Sequence, residues 1–125
     1  MHGHFHYPEL LPEFLGRLSR NRVPCDLFLT TSSEERRLQL QRSLEEFGMR
    51  GTVMVVPNKG RDIGPLLNAF SREQLFAYDI IGHVHGKRSP HADGSLGDVW
   101  RTFLWEHLIG GDFAMLDEIA AAFEA

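Results

Sequence analysis

The chain holds one cysteine, Cys25, in 125 residues. A single thiol excludes a disulfide framework and a cysteine-rich zinc site, and it fits a reducing compartment. Net basic charge is missing too: the formal charge is −4 with the histidines neutral. Charge-driven binding of nucleic acid is thereby excluded, and any cationic site must be local. No apolar run is long enough to span a bilayer. The opening Met-His-Gly-His-Phe-His-Tyr has neither the basic nor the apolar region of a signal peptide. Internal repeats and low-complexity segments are absent as well.

What is present suits one folded domain. A composition of 42% hydrophobic and 10% aromatic residues supplies a core. Residues 1–125 are therefore read as a single α/β domain. The final Ala-Ala-Ala-Phe-Glu-Ala falls inside a helical pattern, so a fragment of a longer protein is expected. A cytoplasmic location follows from the thiol content, with any membrane association left to other parts of the parent.

Alternation at residues 2–7 puts His2, His4 and His6 on one side of a strand. Pro8 fits a first helical turn, and Leu10, Leu11, Phe14, Leu15 and Leu18 continue at helical spacing. Cys25 to Thr30 reads as a second strand. Ser32 with Glu35, or Thr31 with Glu34, offers a capping box for a helix whose apolar face is Leu40, Leu44 and Phe47. Thr52 to Val56 is almost wholly apolar and predicts an inner parallel strand. After the turn at Asn58-Lys-Gly-Arg, Asp62 starts a third helix, and Tyr78 to His85 predicts a fourth strand. A long polar loop is expected from Gly86 to Gly97. A helix from Asp98 to Leu108 is expected next, with Val99, Phe103 and Leu104 inward. A last stripe of Phe113, Leu116, Ile119, Ala120 and Phe123 follows. Strands alternating with helices imply an open parallel sheet of about four strands, Rossmann-like, with helices on both faces.

Parallel strands share one C-terminal edge, where α/β sheets hold ligands. That edge collects His6 and Tyr7, Thr30 and Thr31, Asn58 to Asp62, and His85 to Ser89. The loops after the third and fourth strands are expected side by side. Lys59, Arg61, Lys87 and Arg88 would then meet in one cleft, a setting for a phosphate or diphosphate. Each such turn also has a plain structural reading, since turns commonly carry glycine and charge. Asp62 reads as a helix cap before it reads as a base. His83 and His85 share one face of their strand, so they are either hydrogen-bonded lining or metal ligands. No carboxylate pair or cysteine completes a ligand set, and no metal site is assigned. Trp100 and Trp105 read as core or interface anchors.

Several stretches together resemble the rhamnan synthesis protein F family. They are Tyr7-Pro8-Glu9-Leu10, Asn58 to Pro65, His83 to His91, and Trp100-Arg101 with the later Leu-Ile-Gly-Gly. The resemblance covers most of the chain. It implies a glycosyltransferase-like role in bacterial surface polysaccharide or lipopolysaccharide O-antigen synthesis. It also implies comparison with the nucleotide-binding half of the GT-A fold, in which an Asn-x-Gly-x-like turn precedes a strand ending in Asp-x-Asp. Asn58-Lys59-Gly60-Arg61 stands where the first would be. His83-Val84-His85 stands where the second would be, and no acidic pair in the chain has that spacing.

The implied partners are a nucleotide-sugar donor, dTDP- or GDP-rhamnose, and a glycan acceptor. The implied ligand-binding residues are Asn58, Lys59, Arg61, Asp62, His83, His85, Lys87 and Ser89. Asp62 and His85 are the catalytic candidates, and Asp62, Asp93 and Asp98 are the carboxylates near enough to act as a base. A divalent cation is the cofactor such a site would use, and the missing Asp-x-Asp leaves its place to cationic side chains. Two other readings compete. One is a non-catalytic module that binds glycan or a partner in polysaccharide assembly; the other is a hydrolase using a histidine-bound metal.

Overall fold

The protein is described by a computed structural model, which covers residues 1–60, 63–86 and 94–124. Four short strands form one sheet: β1 (His2–His4), β2 (Phe28–Thr31), β3 (Thr52–Val55) and β4 (His83–His85). All pairings are parallel and the order is β3-β2-β1-β4. This is the expected α/β architecture, an open Rossmann-like sheet.

The helices are α1 (Leu11–Leu18), which follows a 3-10 turn at Pro8–Leu10, then α2 (Glu34–Glu46) and α3 (Ile63–Ala69). They continue with α4 (Arg72–Phe76), α5 (Gly94–Leu108) and α6 (Met115–Glu124). The steps from β1 to β2 and from β2 to β3 run in one direction across the sheet. The step from β3 to β4 runs back. With right-handed crossovers, reversing the step moves the connecting helices to the other face. Phe70, just past α3, accordingly lies edge-on to the rings of His2 and Phe28. On the opposite face, Phe5 and Leu10 crowd the backbone of Gly86.

The chain divides into two compact units. One comprises Met1–Leu11 with Cys25–Gly86, and the other Pro12–Pro24 with Lys87–Ala125. The first is the sheet with α2, α3 and α4, and its core includes Phe5, Leu11, Leu29, Leu40 and Leu44. In the second, Phe14 packs against Trp105 at 5.8 Å between ring centroids. Asn21 donates to the carbonyl of Ile109 at 3.0 Å, and Asp117 accepts from the backbone amides of Arg22 and Val23.

Several local expectations shift. Ser33 caps α2, with its side chain accepting from the Arg36 amide, so neither expected capping box forms. β3 is an edge strand with Thr52 and Val55 exposed, although its apolar composition reads as interior. The strand expected from Tyr78 begins only at His83. Before it stands α4, opened by a reciprocal Ser71–Gln74 capping box that local reading passed over. Helix α5 begins at Gly94, inside the expected loop. Its inward positions are Arg101 and Trp105, followed by Ile109 just beyond the helix end, at a spacing of four; Val99, Phe103 and Leu104 are exposed. In the last stripe, Phe113 and Phe123 are exposed and α6 buries no side chain fully.

Candidate functional site

Strand order reverses between β1 and β4, because the chain leaves β1 toward one edge and returns to β4 at the other. In open parallel sheets this reversal opens a crevice outside the strand C-termini. His4 and His85 are register partners at the end of these two strands. The segment from Phe5 to Tyr7 leaves β1 there, and Gly86 leaves β4 with its amide donating to the His4 carbonyl at 2.9 Å.

Period-two alternation places His2 and His4 on one face with their partners Phe28 and Thr30 on β2 and His83 and His85 on β4. On this face a line of hydrogen bonds runs across three strands. Nδ1 of His2 lies 2.8 Å from Nδ1 of His83, and Nε2 of His2 lies 2.9 Å from the Thr30 hydroxyl. The same hydroxyl lies 3.0 Å from Nδ1 of His4, whose Nε2 lies 3.4 Å from Oδ1 of Asn58. The rings of His2 and His83 stack with centroids 5.0 Å apart. His2, His4 and Thr30 are buried, and His83 and His85 are partly buried.

Burial sets the electrostatics of the line. It pushes the His2 imidazole down to about 3, with His83 and His4 adding to the shift. His4 is also held below its ordinary value, mainly by burial, with the Asn58 contact working the other way. His6 bonds Ser32 at 2.8 Å and is likewise lowered, first by burial and then by the nearby Arg36 guanidinium. The core of this face is thus built from uncharged imidazoles at neutral pH.

Asn58 reaches His4 from the loop after β3, two strand spacings or roughly 10 Å across the sheet. Gly60 has φ +76°, and the Gly64 amide donates to the Gly60 carbonyl at 3.0 Å. A Cβ on Gly64 would stand 2.0 Å from the Lys59 carbonyl oxygen, so only glycine fits there.

Asn58, His83 and His85 thus lie on the histidine face, Asn58 by its bond to His4. Lys59 is exposed beside Asn58. Arg61, Asp62, Lys87 and Ser89, together with Arg88, lie outside the described residues. One expectation is corrected: β3 and β4 stand at opposite edges of the sheet, three spacings or roughly 14 Å apart. The strands themselves are not neighbours; the partner of β4 is β1, and Asn58 reaches β1 from the loop after β3. Sequence reasoning placed Thr30 at the ligand edge but gave it no role. Its signal is a hydroxyl sharing a strand face with Phe28, beside a second threonine, Thr31, on the other face.

The side chains here do not suit the hard, oxygen-preferring cation of an Asp-x-Asp site. β4 offers imidazoles where carboxylates would be needed, and the nitrogens of His2 and His4 are engaged with one another's partners. Among the described residues, no three His, Cys, Asp or Glu side chains are arranged to hold a metal ion. Nor, among them, is any helix long and apolar enough to cross a membrane. A small, mostly apolar pocket of about 30 Å³, lined by Met1, His2, Phe28, Leu66, Phe70 and Tyr78 among others, lies at the opposite ends of the strands.

A family model described as rhamnan synthesis protein F matches residues 1–125. Two curated relatives are both named "Uncharacterized protein WxcX", from Xanthomonas campestris pv. campestris strains B100 and ATCC 33913. Each is 27% identical over 120 residues, which is 96% of this chain. The chain spans only 16% of the length of these relatives. No solved structure matches it significantly.

Proposed function

The chain belongs to the rhamnan synthesis protein F family, and from that premise we propose that it is a glycosyltransferase-like domain that binds a nucleotide-sugar for surface polysaccharide synthesis. The observation that carries this reading is the reversal of strand order between β1 and β4, with His4, His85 and Asn58 gathered at it. Such a reversal suits a nucleotide diphosphate. Asn58 and Arg61 contact the nucleotide or its diphosphate. His85 and Lys87 contact the diphosphate-sugar, and Ser89 positions a phosphate oxygen. With no carboxylate pair for a cation, charge on the leaving diphosphate falls to Lys59, Arg61, Lys87 and Arg88. The donor is dTDP- or GDP-rhamnose and the acceptor a growing glycan.

Titration calorimetry of the full-length parent with dTDP-rhamnose, GDP-rhamnose and UDP-sugars tests it. Saturable heat with one donor, lost in Asn58→Ala, is the expected result. No heat from any of them at millimolar ligand overturns the reading.

One observation favours a second reading, a non-catalytic module of a polysaccharide-assembly protein: histidines replace the carboxylates at the end of β4. On that reading Arg61→Ala and Lys87→Ala leave polymer synthesis intact in cells. Loss of synthesis with the domain still folded would eliminate it.

A further inference from the structure

Hydrogen counting assigns a direction to the line of bonds on the histidine face. There are four contacts: Asn58 to His4, His4 to Thr30, Thr30 to His2, and His2 to His83. Each needs one hydrogen. Oδ1 of Asn58 supplies none, because an amide oxygen only accepts. With one hydrogen on each of the three rings and one on the Thr30 hydroxyl, all four contacts are filled. Nε2–H of His4 donates to Asn58, so Nδ1 of His4 is bare and accepts the Thr30 O–H. The Thr30 oxygen then accepts Nε2–H of His2. Nδ1 of His2 is bare and accepts Nδ1–H of His83.

The order is all-or-none. One additional proton on His2 or His4 would put two hydrogens into a single contact, and turning any single member round leaves one contact with two hydrogens or none. Only a concerted reversal from Asn58 to His83 is self-consistent, and it requires the Asn58 amide to rotate so that its NH2 faces His4. Thr30 is the pivot, because one oxygen both accepts from His2 and donates to His4.

We propose that Thr30 is a positioning residue: through His4 it holds the exposed Asn58 side chain with Oδ1 turned inward, leaving the amide NH2 as a fixed hydrogen-bond donor to an anionic oxygen of a ligand at the strand C-termini. The role of the donor rests on the proposed nucleotide-sugar reading. The tautomer order does not. A donor held in place loses less entropy on binding than a freely rotating amide, which favours a ligand oxygen over a ligand donor.

The test is long-range proton–nitrogen NMR of the histidine side chains at pH 7 in the full-length parent without ligand, for wild type, Thr30→Val and Thr30→Ser. Wild type is expected to show Nε2–H for His2 and His4 and Nδ1–H for His83. Valine keeps the branched shape but deletes the pivot, so His2 and His4 should lose their single tautomers; serine should keep them. The opposite tautomers in wild type, or a protonated His2, overturn the order. An unchanged His4 tautomer in Thr30→Val overturns the pivot.

Calorimetry with dTDP-rhamnose follows on the same proteins. Thr30→Val is expected to weaken binding roughly three- to tenfold, the loss of about one oriented hydrogen bond, with rescue in Thr30→Ser. Unchanged affinity in Thr30→Val overturns the positioning of Asn58. If wild type binds no donor while the tautomers are as assigned, the nucleotide-sugar reading fails and the order of the line stands.

Discussion

The two compact units each bury polar side chains, and they do so in opposite ways. The sheet unit uses neutral groups: His2, His4 and Thr30 are nearly inaccessible and bond one another. The other unit uses charge. The Arg101 guanidinium, only 7% exposed, bonds Asp98 at 2.7 Å and Glu13 at 3.3 Å and lies over the Trp105 ring. Glu13 also meets Arg17, whose other contact is the Gly110 carbonyl at 2.9 Å. Neutral burial avoids the desolvation of an ion but depends on the supply of hydrogens. Ionic burial tolerates looser geometry because the guanidinium carries five donors and its carboxylate partners keep partial access to water. The histidine face should therefore respond to pH, and the arginine cluster to salt.

The largest effect that would break this contrast is Thr30→Val. Removing the hydroxyl leaves buried nitrogens of His2 and His4 without their shared partner, a cost of roughly 2–4 kcal/mol in unfolding free energy, with Thr30→Ser recovering most of it. A change below about 1 kcal/mol in chemical denaturation would mean that water replaces the hydroxyl. Arg101→Met should cost less, about 1–3 kcal/mol, because the Glu13 and Asp98 carboxylates are partly exposed and can rehydrate. That loss should shrink in 1 M sodium chloride, whereas the Thr30→Val loss should not.

The pH response sharpens the comparison further. His2 stays neutral in the folded protein down to about 3, while the unfolded chain takes up its proton near 6.5. Between those values the unfolded state binds more protons, so stability is present above about pH 6.5 and is lost as pH falls toward 3. Each such histidine adds at most about 1.4 kcal/mol per pH unit to that slope. Urea titrations from pH 7 to pH 4 should show the slope in wild type and in Arg101→Met. They should show it reduced in His2→Gln. Equal slopes in wild type and His2→Gln would place the acid sensitivity elsewhere.

Much of the fold was legible because period and punctuation are local. The alternation at His2–His6, the glycine after α2 and the apolar run at Thr52 each specify an element without reference to the rest of the chain. The shared side of His83 and His85 followed from strand geometry alone. Strand order was not legible, because apolar content does not distinguish an edge strand from an inner one. β3 reads as interior yet stands at the edge, while β1, with two histidines, is central. The contact from Asn58 to His4 was hidden for the same reason: it depends on which strands lie between β3 and β1. In α5 the helical period was read correctly but its phase was wrong. An arginine at the inward position is visible only once Glu13 and Asp98 are seen to meet it.

The division of the chain bears on how it is made. The arginine-containing unit is assembled from Pro12–Pro24 and Lys87–Ala125, so its first piece is synthesised before most of the sheet and its second after the sheet is complete. While the ribosome extends the chain through β2, β3 and β4, the amides of Arg22 and Val23 have yet to meet Asp117, and Arg17 has yet to meet the Gly110 carbonyl. The sheet can close first, as early domains generally do during translation. A nascent chain stalled after Gly86 would then display a finished strand array with only α1 and its following loop made of the other unit, a species that chaperones and proteases could tell apart from the completed protein.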